Sequence, residues 1–414
     1  MTSPLRNRSF AGLTVAQFLG AFNDNLFKQL LLLLAARRRF PGRDQPGIAF
    51  AVFALPYVLF SGFAGDLSEK VSKRAVIVAM KLCEMGILLA GAAALQSLHW
   101  GALLTVLFVM GIHSALFGPS KYGVIPELVG RPQLLQANGI IAMTTFLSIL
   151  LGQAVAGPLL DFFPEQLWVT GTFCLVFALL GYVAALRIER VPPTRPDLRL
   201  PRQPFGSLFQ TIAALRRDGA LFGLVLVNSL FWFNGGVVQQ AVNGLGGAPW
   251  LDLGPTDNKL ISWLLANLAT SIMVGCLLVP RLGKRIAPGR LVVLGAVGMV
   301  AGQCALVLIG PVVGPRAGYV LAHGALAFAG LTGAWFVVPI AASLQDAPEQ
   351  GNKGRTFAVN NWLNFLFIFV AGGCYELAMR LHLAPAVACA GAGLILLLVL
   401  WWQRGALAAV RIKA

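Results

Sequence analysis

Long apolar runs separated by short polar stretches set the pattern of this chain. Twelve runs have the roughly 20 helical residues that are needed to cross a hydrocarbon layer. Gly and Pro lie inside them, and transmembrane helices use such residues for close packing and kinks. We therefore predict twelve membrane-spanning helices. The predicted spans are 9–36, 47–66, 75–97, 100–118, 134–160, 166–187, 218–243, 258–280, 289–310, 316–341, 355–380 and 384–403.

Composition and charge agree with this pattern. Hydrophobic residues make up 57% of the 414 residues and charged residues only 12%, whereas a soluble domain carries roughly a quarter of its residues charged. A net charge of +16 would suit a nucleic-acid partner only if Lys and Arg clustered on one solvated face. Here they lie between apolar runs, so we interpret them as topology signals and expect no nucleic-acid partner.

The distribution of the basic residues predicts an orientation. With the N-terminus in the cytoplasm, most of the 32 Lys and Arg residues fall on the inner side, so the positive-inside rule places both termini in the cytoplasm. The group Arg37–Arg39 with Arg43 is the exception. It follows the first span on the outer side, where we interpret it as a contact to anionic headgroups.

A basic, Pro-rich stretch divides the chain near its middle at 188–217. Short matches recur on both sides of it: Phe22-Asn23 corresponds to Phe233-Asn234, and Pro119 corresponds to Pro339. A linker after six spans, followed by six more, is typical of transporters built from two similar halves. We predict an N-terminal six-helix half at 1–187, a cytoplasmic linker at 188–217 and a C-terminal six-helix half at 218–414.

The loop between the second and third spans carries a recognisable pattern. Residues 62–74 read Gly-Phe-Ala-Gly-Asp-Leu-Ser-Glu-Lys-Val-Ser-Lys-Arg, which resembles the cytoplasmic loop signature of the major facilitator superfamily. Asp66 could pair with a basic residue or a helix N-terminus in the same half and hold one conformation until the halves rock. A routine basic turn is the alternative. The predicted gating residues are Asp66, Lys70, Lys73 and Arg74.

The first span contains the most unusual residue of the chain. Asp24 lies near its middle, where an ionised carboxylate costs about 2.5–3.5 kcal/mol or more. Lys28 follows one turn later and is spaced for an ion pair on the same face, while Gln17 and Asn25 widen the polar patch. Two interpretations remain open: a contact for substrate or proton, or a structural pair that fixes helix packing.

Five short segments of the chain carry a distinctive pattern, at 16–25, 118–128, 136–139, 229–232 and 336–339. Together they resemble the lysophospholipid transporter family. Members of that family move lysophospholipids, typically lysophosphatidylethanolamine, from the outer to the inner leaflet of the bacterial inner membrane, often beside an acyltransferase and acyl-carrier-protein synthetase. The resemblance implies a multi-pass, monomeric protein in that membrane, surrounded by membrane lipids, with any such enzyme as a separate partner.

The resemblance also suggests roles for particular residues. A zwitterionic ethanolamine phosphate offers one cation and one anion, so Asp24 would contact the ammonium and Lys28 or Lys121 the phosphate. Lys121 could equally be a gate residue or an inner-side anchor. A single acyl chain further requires a cavity with an apolar wall that opens sideways to the membrane.

In two positions this chain departs from the family pattern. The resemblance implies an arginine in the seventh span and a glutamate in the eleventh. This chain has Gln239 at the first of these positions and Asn364 at the second. Amides can bind phosphate oxygens or glycerol hydroxyls without the cost of a charge, but they supply no ion pair for gating. Alternatively they bond only helix to helix. The candidate binding amides of the second half are Asn234, Gln239, Gln240, Asn360 and Asn364.

Signals for catalysis and cofactors are missing from the sequence. No P-loop pattern occurs, so we expect no direct ATP coupling, and the six cysteines lack metal-type spacing. We therefore expect a transporter with no catalytic residues, metal or cofactor. Two other functions stay open: a proton-coupled carrier of a drug, siderophore or other small solute that uses Asp24, and a non-transporting scaffold or receptor.

Overall fold

The protein is described by a computed structural model. It describes residues 3–36, 45–200, 206–245, 258–312, 315–347, 352–407 and 410, and within these ranges the chain is helical, with no strand. Arg37–Arg39, Arg43 and residues 201–205 of the predicted linker lie outside the described residues.

Fourteen α-helices make up the described chain. In order they are α1 (Arg8–Ala36), α2 (Gln45–Lys70), α3 (Lys73–Ser97), α4 (Trp100–Leu128), α5 (Leu134–Phe162), α6 (Trp168–Leu186), α7 (Gly206–Arg217), α8 (Gly219–Gly244), α9 (Asn258–Leu282), α10 (Pro288–Val312), α11 (Pro315–Asp346), α12 (Lys353–Arg380), α13 (Pro385–Trp402) and α14 (Arg404–Leu407).

Eleven of the described helices are long and apolar enough to cross a membrane, namely α2 to α6 and α8 to α13. Helix α1 has 29 residues, which is also long enough, but polar residues such as Asp24 and Lys28 interrupt its apolar sequence. With α1 the protein has the twelve predicted spans, each at its predicted place, so the prediction of an all-helical multi-pass membrane protein is confirmed.

The predicted linker contains structure that its prolines did not suggest. Residues 206–217 are free of Pro and form α7, in which Leu208 and Leu215 are buried. The earlier part of the linker runs without regular structure to Leu200. The helix forms where proline stops, since proline in a helix interior removes a hydrogen bond and clashes with the preceding turn.

The chain forms two compact units. The first comprises Met1–Gln133, Leu147–Ala214 and Pro348–Trp362, and the second comprises Leu134–Phe146, Leu215–Ala347 and Leu363–Ala414. Helices α5, α7 and α12 therefore contribute to both units. The division into halves at 1–187 and 218–414 stays a prediction.

Small residues allow the helices of each unit to pack closely. In the first unit, a Cβ at Gly171 of α6 would lie 2.5 Å from Ala92 of α3. In the second, a Cβ at Gly275 of α9 would lie 2.4 Å from the carbonyl oxygen of Leu331 in α11. Glycine at such positions lets two helix backbones approach closely, and the resulting van der Waals packing is one of the forces that associate helices inside a membrane.

Candidate substrate site and gate

The acidic residue of α1 has its closest partner on α4. The Ser114 hydroxyl donates a hydrogen bond to Asp24 Oδ2, and Asp24 is half-buried. The sequence spacing predicts an ion pair between Asp24 and Lys28, but Lys28 Nζ instead donates to Asn25 Oδ1 at 3.2 Å and lies 5.2 Å from the centroid of the Phe53 ring. The spacing of residues within α1 could not predict Ser114 as a partner, because the contact between Ser114 and Asp24 arises from the packing of α1 on α4.

Beside Asp24, a buried network joins α1 to α3. Asn23 Nδ2 donates to Glu84 Oε1 at 2.8 Å, and Lys81 Nζ donates to Glu84 Oε2 at 2.6 Å. All three side chains are at most 2% exposed. Lys81 and Glu84 are spaced i,i+3 on α3 and form a buried ion pair, which Asn23 joins from α1.

Further polar and aromatic side chains of α4 line the same region. His113 Nδ1 lies 3.4 Å from the Ser114 hydroxyl, and the His113 ring stacks on Phe117. Lys121 lies two turns beyond Ser114, with its Nζ 4.4 Å from the centroid of the Tyr122 ring. Gln17 is buried. The first unit thus contains Asp24, Asn25, Lys28, Gln17 and Lys121 of the predicted binding residues, and Ser114 and His113 in addition.

The predicted amides of the second half are distributed over several places. Asn364 Oδ1 of α12 accepts hydrogen bonds from Ser229 Oγ at 2.9 Å and from Asn228 Nδ2 at 3.3 Å, both on α8. Asn234 is buried and donates to Met299 Sδ at 3.5 Å. Because Asn364 bonds one helix to another, its geometry matches the structural alternative for these amides.

The remaining candidate amides differ in burial. Gln239 and Gln240 are exposed near the end of α8, whereas Asn360 of α12 is buried and belongs to the first unit. Asn234, Gln239, Gln240 and Asn364 belong to the second unit.

Two acidic residues at the end of α2 contact the start of α12. Arg355 Nε donates to Asp66 Oδ1 at 2.6 Å, and the Gly354 backbone N–H donates to Glu69 Oε1. Both carboxylates are fully buried. Acidic groups are favourable at a helix N-terminus, where backbone N–H groups lack partners inside the helix. We call these four residues the candidate α2–α12 gate.

The observed partner of Asp66 corrects one expectation. The sequence predicts a partner in the same half, but Arg355 follows the linker. The nearby cations are engaged elsewhere: Lys73 Nζ bonds Glu127 Oε1 and Thr194 Oγ1, each at 2.8 Å. Arg74 Nε donates to the carbonyl oxygen of Ile188 at 2.6 Å.

The start of the linker is bound to the α2–α3 turn. Ser72 Oγ donates to the carbonyl oxygen of Val191 at 2.6 Å, and Arg195 N donates to the carbonyl oxygen of Glu69 at 2.8 Å. Of the four predicted gating residues, Asp66 therefore contacts α12, while Lys73 and Arg74 hold the linker or its approach. Lys70 is half-buried at the end of α2. Glu69 and Arg355 were missed because neither stands out in its local sequence.

Comparison with known proteins decides the family. Residues 13–372 match the Major Facilitator Superfamily. Over 416 residues the chain is 32% identical to the lysophospholipid transporter LplT of Salmonella arizonae, with 96% of each protein covered. Over 410 residues it is 30% identical to the lysophospholipid transporter LplT of Enterobacter sp., with 97% of each covered. The chain belongs to the lysophospholipid transporter family of this superfamily.

The fold is also that of the superfamily. A bacterial homologue of the iron transporter ferroportin, solved in an outward-facing state, superimposes with a TM-score of 0.74 and 15% identity, over 96% of this chain and 99% of that one. At this identity the likeness concerns the fold alone.

In this member of the lysophospholipid transporter family, the second unit contains a buried pair of hydrogen-bonded amides. Asn138 of α5 and Gln345 of α11 exchange two hydrogen bonds, each 2.8 Å long, and both side chains are at most 3% exposed. Asn138 belongs to the segment 136–139, which contributed to the family resemblance. The pair connects a helix that precedes the linker to one that follows it.

Proposed function

We propose that this protein transports lysophospholipids, such as lysophosphatidylethanolamine, from the outer to the inner leaflet of the bacterial inner membrane. The observation that carries the proposal is the similarity, over almost the whole chain, to transporters that bear this name. The polar patch around Asp24, in the middle of an otherwise apolar helix, supports it because a charged headgroup needs such a patch to cross the membrane.

The geometry around Asp24 supports a proposed role for each residue that would contact the headgroup. Ser114 bonds Asp24 Oδ2, which leaves Oδ1 to accept a hydrogen bond from the ethanolamine ammonium. Lys28 or Lys121 would contact the phosphate as point charges. Phe53 and Phe117, which lie beside these two lysines, would provide apolar surface for the start of the acyl chain.

Movement of the headgroup would require the candidate α2–α12 gate to open and close. In the proposed cycle the Arg355–Asp66 ion pair and the Gly354–Glu69 hydrogen bond form in one conformation and break in the other. Both acidic residues are fully buried when paired, so opening must bring water to them. Sideways opening between helices would keep the acyl chain in contact with lipid.

Several finer proposals accompany this function. The termini would be cytoplasmic, the chain would act as a monomer, and residues 1–187 and 218–414 would rock about the linker at 188–217. Any acyltransferase that consumes the imported lipid would be a separate protein. The basic inner-side residues and the internal sequence matches support the orientation and the two-half arrangement.

Reconstitution tests the proposal. Proteoliposomes receive labelled lysophosphatidylethanolamine in the outer leaflet, and the rate at which the label becomes inaccessible to external albumin is measured. We expect faster inward movement than in empty vesicles and loss of that gain in Asp24→Asn, with Thr14→Val as a control on the same helix. Wild-type protein that is no faster than empty vesicles contradicts the proposal. Full activity in Asp24→Asn would make Asp24 structural.

A further inference from the structure

The buried pair Lys81–Glu84 has no part in the proposed headgroup contacts. Lys81 is 1% exposed and Glu84 is 2% exposed, so both side chains are closed off from solvent in this structure. A charge pair taken out of water is costly and rarely more stable than apolar residues of the same size. Its presence directly behind α1 therefore calls for a role beyond packing.

The pair contacts α1 through Asn23. The two oxygens of Glu84 have different donors: Oε2 accepts from Lys81 and Oε1 accepts from Asn23 Nδ2. Because the acceptor is charged, the bond from Asn23 is stronger than one between neutral groups. The Asn23 side chain is fully buried, so its amide is held against α3.

Lys81 fits closely against α1 and α6. A Cβ at Gly20, just under one turn before Asn23, would lie 2.4 Å from Lys81 Nζ, and one at Gly181 of α6 would lie 3.4 Å away. The same ammonium lies 5.6 Å from the centroid of the Phe117 ring on α4. The ammonium thus lies in a space that the missing side chain of Gly20 leaves open on α1.

Rotation of α1 determines where Asp24 points. Neighbouring residues on an α-helix differ in direction by about 100°, so an Asn23 side chain held against α3 directs the Asp24 side chain towards α4, where Ser114 meets it. We propose that Asn23 is a positioning residue: its hydrogen bond to the buried Lys81–Glu84 pair fixes the rotation of α1 and thereby aims Asp24 at the ammonium of the headgroup. This rests on the proposed function.

Headgroup selectivity is the readout, because a general loss of folding would not change it. The KM for inward movement is measured in proteoliposomes for lysophosphatidylethanolamine and for lysophosphatidylglycerol, which has no ammonium. In Asn23→Ala we expect the preference for the ethanolamine lipid to fall about tenfold, the change that corresponds to one hydrogen bond to a charged group. Thr14→Val is the control, since the Thr14 hydroxyl bonds only within α1, to the carbonyl oxygen of Phe10 at 2.8 Å.

Two double variants distinguish the role of Glu84 as a hydrogen-bond acceptor for Asn23 from the role of its charge. Lys81→Met/Glu84→Gln keeps an amide oxygen for Asn23 and should keep the wild-type preference. Lys81→Met/Glu84→Leu removes the acceptor without leaving a buried charge unpaired, and it should lose the preference as Asn23→Ala does. These variants also decide the matter if Asn23→Ala does not insert into the membrane.

The outcomes distinguish this inference from the function on which it rests. Wild-type protein that moves neither lipid overturns the transport proposal and the positioning role with it. Wild-type selectivity that persists in Asn23→Ala and in Lys81→Met/Glu84→Leu overturns the positioning role alone. Equal loss for both lipids in those variants likewise overturns it, because that result indicates a structural contribution only.

Discussion

The two compact units bury polar side chains among apolar helices in different ways. In the first unit several buried groups carry charge: Lys81 pairs with Glu84 at 2.6 Å, and the buried Asp66 carboxylate accepts from Arg355 Nε at 2.6 Å. In the second unit the buried groups named above are neutral amides and hydroxyls, such as Asn138 with Gln345. Both arrangements form hydrogen bonds, but the first does so with charged groups, and it lies beside Asp24, the carboxylate of the proposed headgroup contact.

The difference has energetic consequences. Removal of one partner from a buried ion pair leaves an uncompensated charge and costs about 3–5 kcal/mol. Removal of one partner from a buried amide pair leaves an unsatisfied neutral group and costs about 1–3 kcal/mol. The first unit should therefore respond more strongly to single substitutions, while paired substitutions should affect both units little.

The largest effect is expected for the charge pair of the first unit. Glu84→Leu leaves the Lys81 ammonium buried without its partner and should lower the free energy of unfolding by about 3–5 kcal/mol. Lys81→Met/Glu84→Leu should regain most of that stability. Thermal unfolding of the purified protein in detergent measures both. A double variant as unstable as Glu84→Leu would contradict the charge explanation.

The second largest loss of stability is expected for the amide pair of the second unit. Gln345→Met leaves the buried Asn138 amide without its partner and should cost about 1–3 kcal/mol. The variant Asn138→Leu/Gln345→Met replaces both amides with apolar groups and should approach wild-type stability in the same unfolding experiment. A loss above that of Glu84→Leu would reverse the proposed difference between the units.

The helices could be predicted well from the sequence because a single requirement determines them, the need to satisfy backbone hydrogen bonds inside the membrane. A membrane has no water to satisfy backbone groups, so an apolar run of sufficient length forms a helix regardless of its neighbours. The same reasoning identified α1 from its length, although its polar residues reduce its hydropathy. It also singled out Asp24 as a residue that needs partners.

The identity of those partners could not be predicted. Ser114 is 90 residues from Asp24 in sequence, and Arg355 is 289 residues from Asp66. Such contacts depend on how helices pack, and the short-range rule favoured Lys28, which lies on the same helix as Asp24. Ser occurs throughout the apolar runs, so nothing local distinguished Ser114 from residues that only pack. Asn23 recurred in the internal sequence match, but that match did not indicate its contact with Glu84.

A smaller effect tests the hydroxyl of the second unit. Ser229 Oγ donates to Asn364 Oδ1 at 2.9 Å and is also within reach of the carbonyl oxygen of Val225 at 3.0 Å. Ser229→Ala should cost about 1 kcal/mol, because Asn228 still donates to Asn364. Unfolding in detergent provides the measurement. Loss of transport at normal stability would instead place Asn364 among the binding residues.

The smallest change in stability is expected for an exposed ion pair, which tests whether charge matters without burial. Glu376 and Arg380 form an ion pair at 3.1 Å in the last turns of α12, with side chains 63% and 75% exposed. Exposed i,i+4 pairs contribute about 0.3–0.5 kcal/mol, so Glu376→Gln should leave the unfolding temperature almost unchanged. Lys81–Glu84 is also a short-range pair on a single helix, spaced i,i+3. A large loss in Glu376→Gln would therefore mean that charge alone, and not its burial behind α1, makes the first unit sensitive.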